Sequence, residues 1–136
     1  MCRELIAWDL DDTILYNVFN INYAYYVTKY DLKTLNHFCR LNPIVKRSDV
    51  KLVLTARLPH SRDVTVEQLT RHKLNAKLIM YPHNEWTADG MLNFKSQSLN
   101  EIDADYYVDD DIVFGKLLQK HTSADCITTM DYYGNG

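Results

Sequence analysis

The chain has 136 residues, 46% hydrophobic and 24% charged, with a net charge of −3. That composition predicts one soluble globular domain over residues 1–136 and excludes general electrostatic capture of nucleic acid, and no apolar run approaches the roughly 18 residues a membrane span needs. Cys2, Cys39 and Cys126 stand far apart with no Cys-x-x-Cys pair, which excludes a disulfide framework or zinc knuckle and, with no secretory leader, points to a cytoplasmic, reducing setting.

Leu5 to Trp8 is a continuous apolar run bounded by polar residues, the pattern of a short buried strand. It runs into Asp9-Leu10-Asp11-Asp12-Thr13. In an open α/β sheet, ligands bind where the chain leaves such a strand at its C-terminal edge. Three acids in four positions repel one another, and the usual relief is a divalent cation with oxygen ligands. One carboxylate is then free to act as a nucleophile. From Ile14 to Tyr23, partial alternation punctuated by asparagines predicts a hairpin or irregular excursion beside that edge. The rings of Tyr23, Tyr25, Tyr26 and Tyr30 could stack on nucleobases, but packing against the sheet edge is the preferred reading. Asp31 to Leu41 reads as a helix capped by Asp31, with Leu32, Leu35, Phe38 and Cys39 on one face and Pro43 marking its end. Lys46 to Asp49 form a polar connection.

Val50 to Arg57 is a second apolar strand, ending in the hydroxyl of Thr55 and the cation of Arg57. Ser61 to Leu74 predicts a helix capped by Ser61, with Val66, Leu69 and Leu74 on one side. Arg62, Arg71, His72 and Lys73 decorate the other side and together with Arg57 could form a basic binding face, read first as a solvated surface. Lys77 to Tyr81 is a third strand stopped by Pro82. His83 to Asn93 reads as a loop with a turn at Asp89-Gly90. Ser98 and Glu101 fit a capping box for a following helix, with Lys95 just before it. Asp105 to Val108 is a strand running into Asp109, Asp110 and Asp111. Asp111 can cap the next helix, Ile112 to Lys120, but a cap does not need the two acids before it. Cys126 to Met130 reads as a last strand, and Tyr132 to Gly136 as a tail. The five histidines lack His-x-x-x-His spacing and read as surface or core residues. The alternation of strands and helices predicts a parallel sheet with right-handed crossovers.

Asp9-Leu10-Asp11-Asp12-Thr13 resembles the first motif of the haloacid dehalogenase (HAD) superfamily of phosphatases, Asp-x-Asp-x-Thr after an apolar strand. Thr55 matches the second motif, in a Thr-Ala-Arg variant of its Thr-Gly-Arg form. Lys95 stands where the third motif places a lysine, with Lys73 and Lys77 as less well placed competitors. Asp109-Asp110 matches the fourth, and Asp12 replaces the glycine often found in the first. The four motifs stand in the family's order over nearly the whole chain.

The resemblance implies a three-layer, Rossmann-like α/β fold with a mostly parallel sheet and no large cap domain. It implies a magnesium-dependent hydrolase of phosphate monoesters. Asp9 would be the nucleophile that forms an aspartyl-phosphate, and Asp11 the general acid and base. Thr55, Arg57 and Lys95 would hold the phosphoryl group. Mg²⁺ would be held by Asp9, Asp11 through its backbone carbonyl, Asp109 and Asp110; which of the last two is the direct ligand stays open, with position favouring Asp109. A site without a cap implies a large substrate or a neighbouring subunit acting as lid. The Thr-Ala-Arg string and nearby basic residues are similar to polynucleotide 3'-phosphatase domains and to small RNA-repair-associated domains of phages and viruses, which implies a phosphorylated nucleic-acid end as partner. The competing expectations are a small-molecule phosphatase closed by oligomerisation, a silent phosphate-binding module, and a receiver-type magnesium-binding domain, which the Asp-x-Asp-x-Thr string disfavours.

Overall fold

Apolar runs of three or four residues cannot satisfy their backbone alone, and here they do so by pairing with one another in parallel. The computed structural model describes residues 4–17 and 39–134. Its main sheet contains β1 (Ile6–Trp8), β4 (Leu52–Thr55), β5 (Lys77–Met80), β6 (Tyr106–Val108) and β7 (Asp125–Ile127), in the spatial order β5-β4-β1-β6-β7 with every pair parallel. A separate antiparallel pair joins β2 (Leu15–Asn17) to β3 (Cys39–Leu41). The helices are α1 (Arg62–Arg71), α2 (Ala88–Glu101), α3 (Ile112–Gln119) and α4 (Thr129–Tyr133).

Alternation along each strand divides the interior in two. Ile6, Trp8, Val53 and Val108 face one layer, where they meet Leu69 of α1 and Tyr132 and Tyr133 of α4. Ala7, Leu52, Leu54 and Tyr107 face the other, against Leu99 of α2 and Leu118 of α3. The result is a mixed α/β fold of three layers, helices on both faces of a parallel sheet, as the alternating pattern predicts. The sheet order turns at β1, which is flanked by β4 and β6, so the central crevice opens at the C-terminal ends of these three strands.

Four expectations need correction. Cys39 to Leu41 is the strand β3 and not the end of a helix; residues 31–38 of that expected helix, and Tyr23, Tyr25, Tyr26 and Tyr30, lie outside the described residues. The part of the hairpin that is described, β2, pairs with β3 across a long connection. Second, α2 begins at Ala88, so Asp89 and Gly90 form a first helical turn and not a loop turn, and Lys95 lies inside the helix. Thr87 caps it, accepting from the Gly90 N–H at 2.9 Å. A Cβ at residue 90 would collide with the Tyr81 hydroxyl, so the glycine is there for close packing and not for a turn. Ser98 and Glu101 fall in the helix's last turn. Third, Val66 is exposed, and the buried side of α1 is Thr65, Gln68 and Leu69; Ser61 makes no capping bond and instead donates to the Leu58 carbonyl. Fourth, the last strand stops at Ile127. Thr128 and Asp131 form a capping box that starts α4, whose Tyr132 ring meets Trp8 edge-on at 5.1 Å.

Candidate active site

The register of β1 against β6 is what builds the site. Trp8 pairs with Val108, and the Asp9 N–H continues the ladder to the Val108 carbonyl at 2.9 Å. Asp9 and Asp109 therefore emerge side by side from adjacent strands, about 5 Å apart in backbone spacing. Since Trp8 faces the α1 side, Asp9 faces α2. There Lys95, from the middle of that helix, donates to Asp9 Oδ1 at 2.8 Å and stands 3.9 Å from Asp109 Oδ2. Lys73 and Lys77 are exposed and take no part.

Each carboxylate has further partners. The Thr13 hydroxyl donates to Asp9 Oδ2 at 3.1 Å while accepting from the Asp110 N–H at 3.1 Å, so one hydroxyl ties the first acidic loop to the last. Asp109 accepts from the Tyr107 hydroxyl at 3.0 Å and from the Asp111 N–H at 2.9 Å. Lys95 also donates to the Tyr107 oxygen and completes a buried chain from Asp9 through Lys95 and Tyr107 to Asp109. Tyr107 is a site residue outside the four motifs, and Thr13 closes the first motif without having been given a role. The available signal was a tyrosine in a central strand, whose hydroxyl must find a polar partner when buried.

Electrostatics follow from this crowding. Burial, and after it the neighbouring Asp109, pushes the Asp9 carboxyl up to about 7, with Lys95 only partly opposing. Burial raises Asp109 too, against the pull of Lys95 and of the bonds from Asp111 and Tyr107. Burial alone would lower Lys95, but Asp9 and Asp109 outweigh it and the ammonium is held charged. Asp9 thus holds a proton in the folded state that the unfolded chain releases near the ordinary carboxylate value of 3.8, and the raised Asp109 acts in the same direction. The folded state binds more protons over that interval, so stability falls as pH rises. The protein is expected to lose thermal stability between about pH 4 and pH 7, measurable by calorimetry across that range. A melting temperature that climbs steadily over the same interval would contradict this.

Asp11 and Arg57 form the second half of the site. The guanidinium donates to the Asp11 carboxylate at 2.7 and 3.0 Å, and to Thr65 at 3.0 Å and Gln68 from α1. Arg57 is fully buried. The expected basic face of α1 therefore does not include it. Arg57 lines the cleft with its fork paired to Asp11, and the buried polar side of α1 holds it there. Thr55 lies at the end of β4 in the same cleft, its oxygen accepting from the Arg57 N–H at 3.2 Å.

Asp110 departs most from expectation. Its carboxylate accepts from the Thr129 N–H and hydroxyl at 2.7 and 2.9 Å and from the Tyr16 hydroxyl at 3.1 Å, so it braces α4 and β2 and does not line the cleft. Asp109 is thus the acid of the pair that can face a metal. Among the described residues, no group of three or more His, Cys, Asp or Glu side chains could hold a metal ion by itself. Asp9 and Asp109 remain as carboxylate donors in the cleft. That sparse set suits Mg²⁺, which keeps several waters and binds through one or two carboxylates.

Comparison of the chain with protein-family models, with curated proteins and with solved structures finds no match. The chemistry of the cleft is therefore read from its own residues. These enclose about 620 Å³, lined by five aspartates, Thr55, Arg57 and Lys95 and also by Trp86, Met91, Phe114 and Tyr16. No helix among the described residues is long and apolar enough to cross a membrane.

Proposed function

We propose that this chain is a magnesium-dependent phosphatase of HAD type, without a large cap, that hydrolyses phosphate monoesters through an aspartyl-phosphate on Asp9. The observation that carries the reading is the convergence of Asp9, Asp11, Thr55, Lys95 and Asp109, drawn from four separate stretches, on one crevice at the C-terminal ends of β1, β4 and β6. The left-handed backbone at Asp12 (φ 62°) adds support, because it is the conformation that a glycine in the matching motif would adopt freely. Residues 18–38, where a cover inserted after the first motif would lie, are outside the described residues; the stretch between Thr55 and Lys95 is consumed by α1, β5 and the start of α2.

Asp9 Oδ2, bonded only to the Thr13 hydroxyl among the described residues, is the oxygen free to attack phosphorus. Lys95 holds the other oxygen, fixing the direction of attack. Lys95 and the Thr55 hydroxyl are positioned to meet the negative oxygens of the phosphoryl group. Asp11, its carboxylate held in the same cleft by Arg57, is the group that would protonate the departing alkoxide and then take a proton from the attacking water. When bound at Asp9, Asp109 and the Asp11 carbonyl, Mg²⁺ would offset the charge repulsion between the nucleophile and the phosphate.

Hydrolysis of Mg²⁺-supplemented alkyl and aryl phosphates tests the reading. Asp11→Asn is expected to lower alkyl phosphate turnover by about 10²- to 10⁴-fold, the usual worth of a positioned proton donor. Formation of the intermediate from aryl phosphates, whose leaving groups need little protonation, is expected to suffer much less. Equal losses on both substrates would remove the acid role from Asp11. A nucleic-acid end is the substrate class that the motif resemblance favours, and a 3'-phosphorylated oligonucleotide belongs in the panel for that reason.

A further inference from the structure

The cleft is lined by aromatic side chains as well as acids, and one of them is out of place for a folded domain. Trp86 is 48% exposed and lines the same crevice as Asp9 and Lys95. An indole left half in water forgoes burial that would stabilise the fold, and its backbone is not loose. The Glu85 carbonyl accepts from the buried Tyr81 hydroxyl at 3.2 Å, and Thr87 is the cap of α2. Trp86 is therefore held between two anchors with its side chain presented to the cleft. The volume of about 620 Å³ far exceeds a phosphate group and falls in the range of sites for small organic ligands.

We propose that Trp86 is a stacking platform for a nucleobase, so that the phosphorylated substrate is a nucleoside phosphate, free or at a chain end. This rests on the phosphatase reading of the same cleft and names its substrate class. A nucleoside phosphate has its flat aromatic ring one sugar away from the phosphorus, and the half-exposed indole of Trp86 shares the cleft with the residues proposed to meet the phosphoryl group. Base-on-aromatic stacking tolerates any base, because every base has a π face. The charges lining the cleft bear on the source. Its cations, Lys95 and Arg57, are both paired to acids, and five aspartates share the lining. Among the described residues, that leaves little to grip the adjoining phosphates of a polynucleotide. A free nucleotide, or the last nucleotide of a strand, fits better than an internal segment.

The two tryptophans make the test direct, because Trp8 is fully buried and only Trp86 can report on a ligand in the cleft. Fluorescence is followed in the Asp9→Asn protein, which binds without turnover, on titration with deoxyadenosine 3'-monophosphate, a 3'-phosphorylated oligonucleotide, ribose 5-phosphate and a phosphotyrosine peptide. In parallel, the ratio of kcat/KM for deoxyadenosine 3'-monophosphate to that for glycerol phosphate is measured in otherwise wild-type protein and in Trp86→Ala and Trp86→Phe. The expected result is saturable quenching by the nucleotide and not by ribose 5-phosphate, a ratio about tenfold lower in Trp86→Ala through KM, and most of it recovered in Trp86→Phe. Tighter binding of the mononucleotide than of the oligonucleotide identifies a free nucleotide as the source, and the reverse identifies a strand end. Quenching by the nucleotide with no phosphate released from any substrate keeps the platform and overturns the hydrolytic reading. Hydrolysis with an unchanged ratio in Trp86→Ala keeps the hydrolytic reading and overturns the platform. Preferential quenching by the phosphotyrosine peptide overturns the nucleoside assignment.

Discussion

Replacement of Asp9 by asparagine is expected to lower Mg²⁺-dependent phosphate release by about 10⁴-fold or more, the usual loss when an enzyme's nucleophile is removed. The fold is expected to survive, because asparagine keeps the volume and can still accept the Lys95 bond. Stability is expected to move the other way from activity. Burial first and Asp109 second hold the Asp9 carboxyl near 7, so at pH 8 the metal-free wild type carries an ionised group that its surroundings disfavour. Asparagine removes that charge. At pH 8 without metal, Asp9→Asn should melt at the wild-type temperature or above, and the difference should vanish near pH 4, where both side chains are neutral. Phosphate release and calorimetry on the same preparation check both halves. Retained turnover in a folded variant would remove Asp9 as nucleophile. A large drop in melting temperature at pH 8 would mean that its ion pair with Lys95 outweighs the burial of its charge.

Replacement of Arg57 is expected to have the largest effect on the fold itself. The side chain is completely buried and pairs with an Asp11 carboxylate only 11% exposed. Removing one partner of such a pair leaves the other buried and uncompensated, at a cost of about 3–5 kcal/mol. For a chain of this size that is roughly 10 °C or more in melting temperature. Arg57→Met should show this loss, and adding Asp11→Asn should recover much of it, because the stranded charge is then gone. Additive losses in the double variant would locate the cost in packing against Thr65 and Gln68 instead. Arg57→Lys should fold better than Arg57→Met but still lose activity, since an ammonium cannot hold a carboxylate in a fixed plane. A reacting group displaced by about 1 Å costs on the order of 100-fold in rate.

The parts of this architecture legible in the sequence were those set by two-residue alternation and by continuous apolar runs. The five strands of the main sheet follow from such runs and α3 from its Asp111 cap, whereas the grouping of Asp9, Thr55, Lys95 and Asp109 was legible only through the motif resemblance. What was not legible depended on contacts between distant segments. Asp89-Gly90 carries a local turn preference, yet the Tyr81 hydroxyl requires a glycine inside a helix there. Tyr132 and Tyr133 carry no local signal, yet both pack on Trp8, more than a hundred positions earlier in the chain. Arg57 suits phosphate by residue type, and only its burial against Thr65 and Gln68 shows that its partner is Asp11. Asp109 and Asp110 are equivalent as letters; the pleat of β6 separates them, turning one toward Lys95 and the other toward Thr129.

The strand that carries Asp9 lies at the centre of the sheet although it comes first in the chain. One of its neighbours, β6, is 100 residues away, as the bond from the Leu5 N–H to Asp105 records. Such distant pairing is slow to form, because a long loop must close before any contact stabilises it. As the chain leaves the ribosome, β1 must wait, apolar and unpaired on one edge, until β6 and then α4 arrive to cover it. Asp109 and the Asp110 brace arrive at the same moment. Folding and the assembly of the site are thus completed together, and a nascent chain that already carries Asp9 has not yet made the cleft around it.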